Sequence, residues 1–359
     1  MRTRGYGYGP YRGRSRSRTV LKIIIAILVV ILLLVAGCYL LLERFGVYTS
    51  DGRFHLELPF VQESTEPGPE ESEPMVVVST DPEPTPTPTP EVEEPLHAVE
   101  LPRSALSDGT AQSQVEAAGA NAAVFDMKAD DGTLGYVSQV ALATKTGASA
   151  QDATLNEAIR TLNSGELYTV ARVSCFRDNT VPYNEPTLGV KTNKNYNFRD
   201  ADDIRWMSAT SAEARQYVTD LCLELAGLGF DEILLDNSGY PTSGYLTTIK
   251  VGDAYDSSQF ASVVSAFYTQ VKTALAAQYP EVKLSVVTDQ GVLQTGSNAD
   301  SGQSLTALAA SADRVWATLT DMTVADARTA LSGAGLAGNC LVVVSAQAGA
   351  AGESWAVLN

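Results

Sequence analysis

Residues 212–236 read AEARQYVTDLCLELAGLGFDEILLD. In the first part, Ala214, Tyr217, Val218, Leu221, Leu225 and Leu228 fall on one face at the 3.6-residue period of an amphipathic helix. Glu232–Leu235 then forms a short apolar run of strand length that ends on an acid, Asp236. A strand fed by a helix of this length is the repeating unit of an α/β fold. Working outward, similar apolar runs predict strands at Ala98–Leu101, Ala122–Met127, Tyr168–Ser174, Lys283–Val287, Arg314–Thr318, Cys340–Ser345 and Trp355–Leu358. Helical patterns fall between most of them, at Ala111–Ala118, Ala153–Leu162, Gln259–Gln278, Leu305–Ser311 and Val324–Leu331. In Gln259–Gln278 the expected apolar face is Val263, Phe267, Val271 and Leu275.

The run LVVV at 341–344 is apolar without alternation, as expected for a parallel strand covered on both faces. Eight strands with intervening helices predict a (β/α)8 TIM-type barrel over residues 97–359, its last helix missing or very short. An open doubly wound sheet is the runner-up. It normally carries a Gly-rich phosphate loop after its first strand, and FDMKADDG at 125–132 is not one.

The segment ahead of the barrel is of a different kind. Residues 1–22 carry Arg2, Arg4, Arg12, Arg14, Arg16, Arg18 and Lys22 and no acid. Ile23–Leu42 is an uncharged apolar run, long enough as a helix to span a hydrocarbon core of ~30 Å. It exceeds a typical signal-peptide core, and Glu43-Arg44-Phe45 follows it in place of a cleavage site. The expectation is an uncleaved transmembrane helix in contact with lipid, with a cytoplasmic N-terminus and the C-terminal domain outside the cell membrane. Residues 43–96 are acidic and rich in Pro, Thr and Glu, with PTPTPTP at 84–90. They read as a disordered extracytoplasmic linker, extended where the Pro-Thr repeat runs. Its apolar islands Phe54–Val61 and Met75–Val78 are too short for anything beyond local strands.

Composition narrows the chemistry. The formal net charge of −17 argues against nucleic acid as a partner, because phosphate binding needs a basic footprint. Both histidines, His55 and His97, precede or open the barrel, so His-based triads and zinc sites are close to excluded within it. Asp130-Asp131 with Gly132 lacks the alternating oxygen ligands of a calcium loop, and no metal or cofactor is expected. Cys175, Cys222 and Cys340 sit in apolar contexts and read as buried free thiols.

Any catalysis must then rest on carboxylates, lysine, tyrosine or a carboxylate-bound ion, and barrels of this kind gather their active groups at the C-terminal ends of strands. Strand two delivers Asp126, with Lys128 behind it; strand three carries Arg172 and runs into Phe176-Arg177-Asp178. Strand four ends in Asp236-Asn237, and strand five in Asp289. Glycoside cleavage uses two facing carboxylates, about 5 Å apart for retention or roughly 6.5–9.5 Å for inversion. Each such aspartate can equally cap the helix that follows. Trp206, Trp316 and Trp355 could stack on pyranose rings, though barrel filling is the commoner use of tryptophan.

Taken together, Asn121-Ala122-Ala123-Val124-Phe125-Asp126-Met127-Lys128 with Gly132, then Ala171-Arg172 with Phe176-Arg177-Asp178, then Trp206, then Gly229–Asp236, form an ordered pattern. In order and spacing it resembles that of a bacterial, often membrane-anchored, glycoside hydrolase-like family with an α-amylase-like barrel, over about residues 98–290. The resemblance implies a cleft formed by Asp126, Lys128, Arg172, Asp178 and Asp236, with Asp236 where amylase-like barrels hold their nucleophile. Trp206, Asn237 and Tyr240 join the expected substrate-binding set. The expected catalytic set is Asp236 as nucleophile or base, with Asp289 or Asp126 as general acid. Where the family reads Tyr-x-Arg-Phe-Pro, this chain has Asn237-Ser238-Gly239-Tyr240-Pro241, so the arginine beside the key carboxylate is replaced by Gly239. The expected reading is a monomeric barrel acting on a polysaccharide or cell-wall glycan. Its alternative is a catalytically inactive glycan-binding or envelope scaffold protein that keeps the cleft.

Overall fold

The computed structural model describes the backbone at Gly46–Tyr48 and Phe54–Leu56 and the chain over residues 94–358. Residues 1–87 and 88–359 form two separate units. In the first, Gly46–Tyr48 pairs antiparallel with Phe54–Leu56, a local hairpin inside the segment expected to be linker. The expected membrane span at 23–42 lies outside the described residues. Among the described residues, no helix is long and apolar enough to cross a membrane.

The second unit is a closed barrel of eight parallel strands. They are β1 (His97–Leu101), β2 (Ala122–Lys128), β3 (Tyr168–Ser174), β4 (Glu232–Asp236), β5 (Lys283–Asp289), β6 (Arg314–Thr318), β7 (Leu341–Ser345) and β8 (Trp355–Val357). Neighbours in sequence are neighbours in space, and β8 closes on β1 with Trp355 opposite His97. All eight expected strands are present within a few residues of their expected bounds. The helices are α1 (Ala111–Ala117), α2 (Ala141–Thr146), α3 (Leu155–Asn163), α4 (Thr180–Asn184), α5 (Ala212–Gly227), α6 (Phe260–Gln278), α7 (Gln290–Thr295), α8 (Leu305–Ser311) and α9 (Val324–Gly333). Helices α2, α4 and α7 escape the sequence reading because five or six residues are too few to show a helical period.

Alternation along the strands explains both cores. Ala98, Ala122, Val124, Val170, Leu234, Trp316, Val342 and Ala356 pack together inside the barrel. Their chain neighbours, such as Ala123, Phe125, Ile233 and Leu235, face the helices in the larger core. Trp316 is therefore barrel filling. In α5 the side chain of Ser211 accepts a hydrogen bond from the Ala214 N–H, capping the helix, and the expected face is buried. In α6 the buried stripe is Phe260, Val264, Phe267, Tyr268, Val271 and Leu275, with Val263 only partly covered. The three barrel cysteines are free and buried.

The two-residue period also sets the site. Continuing inward-facing positions up each strand leads from Ala98 to Glu100, from Val124 to Asp126, from Val170 to Arg172, from Leu234 to Asp236 and from Val287 to Asp289. Charged side chains thus crown the barrel as a layered cluster at its C-terminal rim.

Candidate active site

Arg172 organises that cluster. Its Nε and Nη2 donate to Asp236 Oδ2 at 2.9 and 2.5 Å, Nη1 to Asp126 Oδ1 at 3.0 Å, and Nη2 to Asp130 Oδ1 at 3.0 Å. Burial opposes the charge on Arg172, but Asp236, Asp130 and Asp126 outweigh it and raise its pKa above the ordinary arginine value. The expectation that Gly239 leaves Asp236 without an arginine partner is corrected here: the guanidinium arrives from β3. Gly239 has its own reason. A Cβ there would lie 2.2 Å from the Ser301 carbonyl oxygen, which accepts the Tyr240 N–H at 3.0 Å.

Asp236 accepts on its other oxygen from the Asn237 N–H at 2.7 Å. Asn237 takes a left-handed backbone (φ 47°), a region asparagine tolerates. Its amide donates to Ser174 Oγ and to Asp130 Oδ1 at 3.0 and 3.2 Å. Arg177 adds a second tier, with Nη1 to Asp130 at 2.5 Å, Nε to Asp200 at 2.7 Å and Nη2 to Asp202 at 2.6 Å. Trp206 donates its indole N–H to Asp200 at 2.9 Å. Burial pushes the Asp130 and Asp200 carboxyls up. Arg172, Ser174 and Arg177 reverse this for Asp130, and Arg177, Trp206 and the Ile204 N–H reverse it for Asp200, so both end below the ordinary carboxylate value.

Two cavities meet at Asp236. One, about 540 Å³, is lined by Trp206, Asp236, Asn237, Tyr240, Asp289 and Thr318 among others. The other, about 610 Å³, is lined by Glu100, Asp126, Asp130, Asp131, Arg172, Arg177, Asp202 and Asp236. Asp289 stands on the wall of the first cavity and accepts from the Val292 N–H at 3.2 Å, capping α7, and from the Asn298 amide at 2.9 Å.

The expected site residues divide accordingly. Asp126, Arg172, Asp236, Asn237, Asp289, Trp206 and Tyr240 line a cavity, although Trp206 and Tyr240 are largely buried. Lys128 and Asp178 do not. Both are fully buried, with Lys128 Nζ 2.8 Å from Asp178 Oδ2 and donating to the Ser174 carbonyl at 2.6 Å. Asp178 Oδ1 also accepts from the N–H groups of Thr180 and Val181. Gly132 packs against this pair. Its φ is +88°, and a Cβ there would lie 2.2 Å from Asp178 Oδ1. The Lys128–Gly132–Asp178 part of the sequence pattern therefore holds the loops behind the cleft and touches nothing in it. Glu100, Asp130 and Arg177 line the rim as well, outside the expected site residues. Glu100 was detectable, since it lies two residues beyond inward-facing Ala98.

A parallel eight-stranded barrel with an acid-lined cleft at its C-terminal rim has the architecture of barrel glycosidases. Residues 109–319 match the family described as "Putative glycosyl hydrolase domain", and the chain belongs to that family. Solved structures similar to it include a hypothetical protein from Ruminiclostridium thermocellum, 24% identical, covering 52% of this chain and 96% of that one, TM-score 0.45. An exo-β-N-acetylglucosaminidase from Vibrio harveyi is 10% identical over 70% of this chain and 41% of its own, TM-score 0.48. An α-galactosidase from Lactobacillus brevis is 13% identical over 74% and 38%, TM-score 0.47. The chain thus spans less than half the length of these two enzymes. No curated protein sequence matches it.

Proposed function

We propose that the barrel hydrolyses a glycosidic bond in the 540 Å³ cavity, with Asp236 as the ionised carboxylate and Asp289 as proton donor. The observation that carries this reading is that these two residues are the carboxylates lining that cavity, and they rise from the ends of adjacent strands. Arg172 and the Asn237 N–H hold both Asp236 oxygens, fixing the anion that stabilises or attacks the anomeric carbon. Asp289 gives its proton to the leaving oxygen as the C–O bond breaks, and water supplies the new hydroxyl while its remaining proton passes to one of the two carboxylates. Asp289 spends one acceptor position on each oxygen, on the Val292 N–H and the Asn298 amide, and keeps the remaining lone pairs for that proton. Asp126 suits the acid role less, because its carboxylate is already held by Arg172, with Arg103 3.6 Å away. The helix-capping role of Asp289 also supports a second reading, a cleft that binds glycan without cleaving it.

The test is a panel of aryl glycosides and cell-surface glycans. Asp236→Asn should lower turnover about 10³-fold on every substrate. Asp289→Ala should lose natural glycans yet keep aryl glycosides whose leaving groups need no proton. Binding without turnover in the unmutated chain would select the second reading. The proposed setting is outside the cell membrane, anchored through residues 23–42. Protease added to intact protoplasts should remove the barrel, and full protection would overturn that placement.

A further inference from the structure

Two loops on the same end of the barrel as the cleft form a small sheet of their own. Lys191 pairs with Asn197 across a tight turn in which Asn195 is left-handed (φ 65°). On its other side the same strand meets residues 248–250. Thr192 opposes Ile249, the Lys250 N–H donates to the Lys191 carbonyl at 2.8 Å, and the Asn193 N–H donates to the Thr248 carbonyl at 2.8 Å. This antiparallel register sets Lys191 directly across from Lys250. Ile249 is buried, so alternation places the two lysines together on the opposite face.

Like charges directly opposite each other destabilise a strand pair, and nothing in either segment relieves them. Residues 186–199 and 237–252 contain no acid, in a chain of net charge −17. The Lys191 ammonium donates to the neutral Asn197 side chain. Of the neighbouring acids, Glu185 is engaged by Lys145, Asp203 by Arg199, and Asp200 by Arg177 and Trp206, while Asp253 follows Lys250 by three residues. Lys194 is exposed at the hairpin turn. The same two loops carry Tyr196 and Tyr245, 72% and 83% exposed. Large aromatics left this open on an otherwise well-packed domain mark a contact surface. The loop is also continuous with the cleft, since Asn237, Tyr240 and Thr242 at its start line the 540 Å³ cavity and Lys250 lies near its end.

We propose that Lys191 and Lys250 form a subsite for an anionic substituent, phosphate or carboxylate, on the glycan chain that enters the cleft. The inference rests on the glycan-cleft reading and narrows it to anionic polysaccharides. The acid-lined cleft repels an anionic group at the reacting sugar, whereas the lysine pair attracts one carried on a part of the chain outside it. A membrane surface could meet the same residues. Their continuity with the cavity favours a chain that passes through it.

The experiment titrates the full chain, carrying Asp236→Asn and held in neutral detergent micelles, with poly(glycerol phosphate), polygalacturonate and dextran. Either anionic polymer should bind about tenfold more tightly than dextran, an advantage that shrinks with added salt. Comparing the two separates a phosphate from a carboxylate preference. Lys191→Gln with Lys250→Gln should abolish the advantage, and the corresponding double Arg variant should keep it. If the double Gln variant unfolds, Lys250→Gln alone should still weaken anionic binding. Equal affinity for all three polymers, or an unchanged Gln variant, overturns the proposal, as does a preference for anionic phospholipid vesicles over both polymers. Because binding is read without turnover, a protein that binds in this pattern but never hydrolyses breaks the hydrolytic reading and leaves the subsite standing.

Discussion

At the floor of the barrel one acid is shared by four donors, whereas at the rim one arginine is shared by three acids. Glu232 opens β4, points inward and is fully buried. It accepts from the Tyr168 hydroxyl at 2.8 Å, the Trp316 indole at 3.2 Å, the Ser285 hydroxyl and the Arg314 guanidinium. Tyr168 is pushed above its ordinary pKa by burial and by Glu232. That network pairs the acid with a cation and is largely buried. The rim is built from the far ends of the same strands, yet it carries an excess of acid and opens into two cavities. The contrast assigns the work: a satisfied buried network holds the barrel together, and an unbalanced, accessible one can act on a ligand.

Breaking the floor should have the largest effect. Glu232→Ala leaves the Arg314 charge without its carboxylate in a closed interior and should cost about 3–5 kcal/mol of stability in urea denaturation. Turnover or glycan binding by the fraction that remains folded should be unchanged. A loss below 1 kcal/mol would mean that the floor is no more structural than the rim.

Arg172→Met should cost less, about 2 kcal/mol at pH 7, because the rim is partly solvated. Its pH dependence sharpens the comparison. In the unmutated protein Asp130 and Asp200 have lowered folded pKa values. Their contribution is therefore full above the unfolded value of about 4 and is lost as pH falls through the folded values. Without Arg172 the charge that most lowers the Asp130 carboxyl is gone, its folded pKa rises, and the variant should regain relative stability as pH drops towards the unfolded carboxylate value. Parallel pH–stability curves for the two proteins would show that Arg172 does not balance the rim. The smallest effect belongs to Trp206→Phe, which removes one N–H bond to Asp200 while Arg177 keeps the other. About 1 kcal/mol or less should be lost in thermal unfolding.

Much of the architecture was legible because it depends on local periods. Each strand run and each helix long enough to show its apolar face appears near its expected place, and only α2, α4 and α7 were too short to declare themselves. The cleft was legible in part. Strand ends pointed to Asp126, Arg172, Asp236 and Asp289, and the inward parity of β1 pointed equally to Glu100, which was overlooked. Lys128 and Asp178 carried the same ordered pattern as the cleft residues, but that pattern does not distinguish a side chain facing a cavity from one buried behind it.

By itself the sequence determined the barrel, the rim as the place for chemistry and the acidic character of that rim, because hydrophobic period and strand polarity are written residue by residue. Only the tertiary structure decided which charges meet. Arg172 on β3 takes the place left by Gly239 after β4, the Ser301 carbonyl occupies the space an added side chain would need there, and Lys191 faces Lys250 across two loops. Each of these contacts joins segments far apart in the chain, through barrel closure and loop packing, and neither has a period that a single strand of sequence could carry.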